Sequence, residues 1–219
     1  MIRRAPLQNR VTPFGDIVAA EGRGLFMGNR GVLHDARRRL VRFSQVRRWI
    51  ICRLEFRGRR RRIMTPGSYT ELFFLDEAAA LAAGHRPCAE CRHADYTRFR
   101  DAWALVHGGG RPTADAMDAT LHAERLTAPR TKRTYRARLS ALPDGAYVDI
   151  DGAAWLVWAG ALHRWSAAGY VERHRCPRGV VIVLTPPSTV AVIDAGYRPH
   201  VHSSAGAEIQ KSHHVEWAP

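Results

Sequence analysis

The pattern of apolar and polar positions is sharpest between residues 50 and 56. Ile50, Cys52, Leu54 and Phe56 fall on one side of an alternation, with Ile51, Arg53 and Glu55 on the other. A period of two predicts a half-buried strand. Arg57-Gly58 is a turn signal, and the run RRRRIM (59–64) is expected to return as the hairpin partner. The run SYTELFFL (68–75) predicts another strand. Asp76 then stands as N-cap of the helix EAAALAA, and Gly84 ends that helix as a residue free to adopt positive φ. A second helix is predicted over 92–106, where Tyr96, Phe99 and Trp103 share a face. Glycines 108–110 and Pro112 form the clearest linker, followed by the helical segment ADAMDATLHAERL. From Ala146 the pattern turns to short strands, with Asp151-Gly152 and Ala159-Gly160 as turns and GVVIVL as a buried strand. Towards the N-terminus the signal is weaker. The glycine-rich residues 1–30 read as a flexible arm, and DARRRLVRF reads as a short basic helix with Asp35 near its start.

These elements predict an α+β fold of two small related strand–helix halves: residues 31–107 basic, with the CxxC, and residues 116–205 rich in β-structure and ending in a short meander, with a tail over 206–219. The relation between the halves rests on an internal repeat at a constant offset of 112 residues. Gly67/Gly179, Leu72/Leu184, Ala79/Ala191, Ala83/Ala195, Gly84/Gly196, Arg86/Arg198 and Pro87/Pro199 coincide. At Cys88 and Cys91 the second copy has His200 and Ser203, so the CxxC occurs once.

Composition changes this picture in one respect. The chain of 219 residues carries a formal net charge of +14, and between Arg37 and Arg62 twelve arginines face one acid, Glu55. Charge this concentrated repels itself unless anions lie close, and a phosphate backbone is a common anion of that kind. Arginine-rich segments are also ordinary solvated faces. There is no run of eighteen apolar residues and no apolar centre in MIRRAPLQNRV, so the expectation is a cytoplasmic protein without a membrane partner, its four cysteines reduced. Oligomeric state is left open.

Chemistry concentrates in AAGHRPCAEC. A cytosolic Cys88-x-x-Cys91 is a redox pair, a metal half-site or two plain thiols at a helix start. The redox reading expects the pair to open a helix after a βαβ strand, whereas here it follows a helix and the tight turn GHRP. In the metal reading, two thiolates two residues apart grip one Zn²⁺ and two further ligands come from elsewhere. Arg86 and Arg92 and the start of the next helix favour thiolates. Cys52, on the apolar face of its strand, is either a ligand or a buried core thiol. Cys176, between Arg175 and Arg178, is the best fourth candidate, with His34, His93 and His174 behind it.

The string LFFLDEAAALAAGHRPCAEC resembles the closing half of the zinc-binding domain of the Ada-type DNA-repair family. The resemblance implies that a helix, an AGxRPC-type turn and the CxxC supply two of four zinc ligands. In that family the other two cysteines lie upstream as CxxxC, and one accepts a methyl group from a DNA phosphotriester. Carried onto this chain, Cys52 corresponds to the first of these, and the second falls at Phe56.

The functional expectation is a zinc-stabilised nucleic-acid-binding protein, DNA before RNA, with a structural Zn²⁺ held by Cys88, Cys91, Cys52 and Cys176. Phosphates would be met by Arg57, Arg59, Arg60, Arg61, Arg62, Arg86, Lys132 and Arg133. The rival is an enzyme acting on nucleic acid through the metal or through Cys52 as alkyl acceptor. A third reading is an interaction module with an acidic partner. No phosphate-binding glycine loop, nucleophile elbow or HExxH is present.

Overall fold

A computed structural model describes residues 5–58, 62–128 and 130–206. Residues 8–29 form strands instead of the expected arm: β1 (Gln8–Val11), β2 (Ile17–Ala19) and β3 (Phe26–Asn29). Their glycines mislead because they serve close packing. A Cβ on Gly24 would stand 2.2 Å from the Phe74 carbonyl oxygen, and one on Gly28 would stand 2.4 Å from that of Ile50. The basic helix at 35–43 does not form either. Asp35 Oδ1 accepts the backbone N–H groups of Arg37 and Arg39, each at 2.9 Å, so its side chain closes a turn in competition with the helix.

β4 (Ile50–Cys52) keeps only the start of the predicted strand, and Leu54 is exposed. Its neighbours are β3, antiparallel, and the two-residue β6 (Arg86–Pro87), parallel. Arg62–Met64 is not its hairpin partner, and Arg59, Arg60 and Arg61 lie outside the described residues. With β5 (Leu72–Phe74) these strands make one six-stranded sheet ordered β2-β1-β5-β3-β4-β6.

α1 (Glu77–Ala82) is capped as predicted: the Asp76 side chain accepts the Ala79 N–H at 2.8 Å, and Gly84 ends the helix at φ +90°. Every residue of α1 is buried. Its alanines leave room on two sides, so Ala80 and Leu81 join the core under the first sheet while Ala78, Ala79 and Ala82 join Tyr147, Leu156 and Leu184 of the second half. α2 (His93–His107) buries Tyr96, Phe99 and Trp103, the face read from their spacing, and α3 is Ala114–Arg125.

A small hairpin of β7 (Leu126–Ala128) and β8 (Thr131–Lys132) leads to the second sheet. Its members are β9 (Tyr135–Arg138), β10 (Tyr147–Ile150), β11 (Ala153–Trp158), β12 (Ala161–Ser166), β13 (Gly169–Arg175) and β14 (Val180–Val183). All pairings in this sheet are antiparallel, in the order β13-β12-β11-β10-β14-β9. Both turn pairs read from sequence have φ above zero at each residue: Asp151-Gly152 at 54° and 75°, and Ala159-Gly160 at 49° and 70°.

α4 (Pro187–Asp194) closes the fold. Here the repeat becomes concrete at one place. Gly84 N–H reaches Leu81 O and His85 N–H reaches Ala80 O; Gly196 N–H reaches Ile193 O and Tyr197 N–H reaches Val192 O. The shared string therefore encodes a shared helix C-cap. The strands do not follow the offset, since β5 begins at Leu72 and β14 ends at Val183, one residue before the counterpart of Leu72.

The two halves share one core. Phe99, Trp103, Met117 and Leu121 pack in the same cluster as Val192, Ile193 and Tyr197. Two consecutive acids tie the seam: Asp76 Oδ2 accepts Tyr170 Oη at 2.6 Å and the His202 N–H at 2.9 Å, and Glu77 accepts Tyr197 Oη at 2.5 Å and the His200 N–H at 3.0 Å. Both carboxylates are almost fully enclosed. Burial pushes the Asp76 carboxyl up, and its bond from Tyr170 opposes that rise.

Candidate metal centre

The parallel pairing of β4 with β6 builds the site. Ile50 lies opposite Arg86 and Ile51 opposite Pro87, and Cys88 N–H donates to Ile51 O at 2.9 Å, which brings Cys52 and Cys88 to the same end of the sheet. The chain then turns, with Arg92 N–H on Cys88 O at 3.1 Å, and returns Cys91 beside them at the start of α2. The three sulfur atoms lie within 4.8 Å of one another, and the residues are 7, 7 and 8% exposed. A tetrahedral zinc with bonds of about 2.3 Å holds its sulfurs about 3.8 Å apart, which falls inside that limit. Met27, Ile50 and Phe56 pack against the trio.

Electrostatics favours a thiolate at Cys88, while the Cys52 and Cys91 thiols are pushed up. Hydrogen bonds from Cys52 and then from Cys91, with the backbone amides of Cys91 and Glu90, draw the Cys88 thiol far below its ordinary range. Cys52, donating into that arrangement and buried, is pushed up. Three thiols competing for shared protons at this range are suited to a soft or borderline cation, which replaces those protons on all three sulfurs. The residues present fit a metal ion, with Cys52, Cys88 and Cys91 as its donors.

The fourth expected ligand does not join them. Cys176 is exposed on the link between β13 and β14, where burial and the nearby Asp144 raise its thiol. Its arginine flanks and its place just before the second repeat copy are what suggested otherwise; the halves pack through α1 and α4, and the β13–β14 link is not part of that seam. His34 is engaged by Thr70 Oγ1 at 2.6 Å, His174 faces Glu172 at 3.3 Å, and His93 Nδ1 faces Ala89 O at 3.1 Å. Among the described residues the set is three cysteines. Phe56, where the resemblance would want a sulfur, instead contributes to the apolar wall.

The arginines sort into surface and interior. Arg57, Arg62 and Arg133 are exposed, and Arg57 lies over the Phe56 ring at 5.0 Å, so it reaches the rim of the cysteine cluster. Of the nine described arginines between 37 and 62, eight are exposed. Two expected phosphate contacts are corrected. Arg86 is 1% exposed and holds Asp118 in a forked pair at 2.9 and 2.7 Å. Lys132 turns inward, its Nζ donating to Ala82 O. Arg86 is interior and Lys132 half-buried because helix α3 and the C-terminal end of α1 supply acceptors that sit far away in sequence.

The sequence reading also missed two interior cations, Arg30 and Arg125, stacked on Trp49 beside His85, all almost fully buried; burial and the two arginines keep the His85 imidazole neutral. In so basic a chain nothing in composition separates these arginines from the exposed ones. The fold and site together define an α+β protein with a three-cysteine cluster arranged to hold a metal ion. No protein family, curated protein or solved structure matches the chain. Among the described residues no helix is long and apolar enough to cross a membrane.

Proposed function

We propose that this chain is a zinc-stabilised nucleic-acid-binding protein, with DNA preferred to RNA. The observation that carries the reading is the convergence of Cys52, Cys88 and Cys91 at the point where β4 gives way to the exposed arginine segment. Zinc bound there pins the end of β4 to the turn before α2. It thereby fixes the start of the loop bearing Arg53 and Arg57, both exposed. Contacts of that kind go to phosphates and give affinity with little choice of sequence.

The test is fluorescence anisotropy of the zinc-loaded chain with labelled duplex and single-stranded oligonucleotides over a salt series. Binding should weaken steeply with salt, and the double variant Arg57→Ala/Arg62→Ala should flatten the log–log slope by about 2. Affinity that does not respond to salt, or no binding at low salt, overturns the proposal.

A second reading, an enzyme working on nucleic acid, draws on the count of three ligands. A tetrahedral zinc with three protein donors keeps a position for water or substrate, as catalytic sites do. Alkyl transfer to Cys52, as the Ada-type resemblance implies, is the other form of this reading. A new mass on Cys52 after exposure to alkylated DNA would favour it.

A further inference from the structure

Three cysteines are one donor short of a tetrahedron, so the neighbours of Cys52, Cys88 and Cys91 decide what completes it. Among the described residues no histidine, carboxylate or further cysteine joins the trio. The apolar side chains packed against it are Met27, Ile50 and Phe56. Ile50 and Phe56 have no lone pair to offer a cation. The thioether of Met27 does, and it is the one donor atom among these three side chains.

Strand pairing is what brings Met27 to the cysteines. β3 runs antiparallel to β4, with Met27 directly opposite Cys52 and Gly28 opposite Ile51. Residues opposite each other in such a pair project to the same face, with Cβ atoms about 4.5–5.5 Å apart. The Met27 side chain is therefore a cross-strand neighbour of the Cys52 thiol, and its unbranched arm adapts to an irregular site. The close approach at Gly28, where a Cβ would stand 2.4 Å from Ile50 O, holds the two strands in that register. In sequence the methionine gives no sign of this, since it lies 25 residues before Cys52 in a glycine-rich stretch.

Cations separate on this donor set. Zinc takes thiolate, imidazole or carboxylate, so here it fills its fourth position with water, beside apolar side chains. Thiolate and thioether donors together select Cu(I), which is softer. We infer that this centre binds Cu(I) in preference to zinc, with the sulfurs of Cys52, Cys88, Cys91 and Met27 as its donors. The inference rests on the metal centre of the proposed function and not on its nucleic-acid part. Zinc fills the centre when it is the cation offered; Cu(I) displaces it, and protons still on the thiols that bind pass to solvent. A monovalent ion leaves more negative charge on the sulfurs than zinc does. Arg57, whose guanidinium lies 5.0 Å from the Phe56 ring centroid, stands at the rim to offset it. Either cation pins the end of β4 to the turn before α2.

Anaerobic titration of the zinc-loaded full chain with Cu(I) tests this, with bathocuproine disulfonate buffering the Cu(I) and a chromophoric indicator following released zinc. The chain carries Cys176→Ser, which removes the exposed thiol as a second taker of Cu(I). The expected result is one zinc released for each Cu(I) bound. Met27→Leu exchanges the thioether for a hydrocarbon of similar volume, so the fold and the zinc affinity should hold while Cu(I) affinity falls at least about tenfold. X-ray absorption at the copper edge should count four sulfur neighbours before that substitution and three after it. Zinc that binds but is not displaced by Cu(I) overturns the inference and leaves the zinc reading standing. Equal Cu(I) affinity in Met27→Leu, or an equal loss for both metals, makes Met27 a packing residue and overturns the four-sulfur site. Failure of the parent chain to bind either metal removes the centre itself, and the proposed function with it.

Discussion

Lys132→Met gives the sharpest energetic test of the interior cations. Burial first, and then Arg30 and Arg125, lower the lysine from 10.5 to about 7. Holding it charged in the fold therefore costs about 4–5 kcal/mol. Below pH 7 the ammonium is charged in the folded and unfolded chain alike, and the full cost is felt. Between about 7 and 10.5 the folded chain has released the proton while the unfolded chain keeps it. The unfolded state then binds more protons and stability climbs with pH; above 10.5 the cost is gone. Methionine removes the ammonium but leaves Ala82 O without its donor, a loss of about 1–3 kcal/mol that does not depend on pH. At pH 6 the variant should thus be more stable than the parent by about 2–4 kcal/mol, and at pH 9 nearly equal to it. Urea unfolding of both chains at the two pH values, in phosphate-free buffer, reads this directly. The advantage should shrink by about 2–3 kcal/mol between pH 6 and pH 9. An advantage of the same size at both would show that the ammonium reaches water and refute the account of the cluster.

Three further outcomes are expected. Elemental analysis should find zinc lost from Cys52→Ser and Cys91→Ser but retained in Cys176→Ser; at zinc concentrations a hundred times Kd the lost stabilisation is about 2.7 kcal/mol. Asp118→Ala strands the Arg86 guanidinium, 1% exposed, and should cost about 3–5 kcal/mol in denaturant unfolding; a loss near zero would mean that Arg86 finds solvent. Gly84→Ala and Gly196→Ala both force alanine to positive φ, but only at Gly84 would the methyl meet Arg125, at 2.7 and 2.8 Å from Cδ and Cβ. Both should be destabilised by about 1–2 kcal/mol of backbone strain, with a further loss confined to Gly84.

What sequence disclosed and what it hid divide by range. Asp76, Gly84 and the face of Tyr96, Phe99 and Trp103 were legible because each signal is completed within a few residues. The turn pairs at 151–152 and 159–160 were legible for the same reason. Strands β1 to β3 were not, since they are three or four residues long and their glycines answer to Phe74 and Ile50, far along the chain. The cysteine site was half legible. Cys88 and Cys91 announce themselves by spacing, whereas Cys52 joins them only through a parallel pairing of two short strands. Cys176 was misleading because its basic flanks look the same whether the thiol is a ligand or lies in solvent. Arg86 and Lys132 went the other way: their charge suggested the surface, and only Asp118 and Ala82 explain why they are inside.

The enclosure of α1 carries a consequence for how this chain can be divided. A six-residue rod touched on one flank by the first sheet and on the other by the second has no side on which the molecule can be parted. The glycine run at 108–110, so like a border on paper, merely joins two helices of a common interior. Nicking by a protease at that loop should consequently yield two fragments that stay clasped together and migrate as one particle until denaturant pulls them apart.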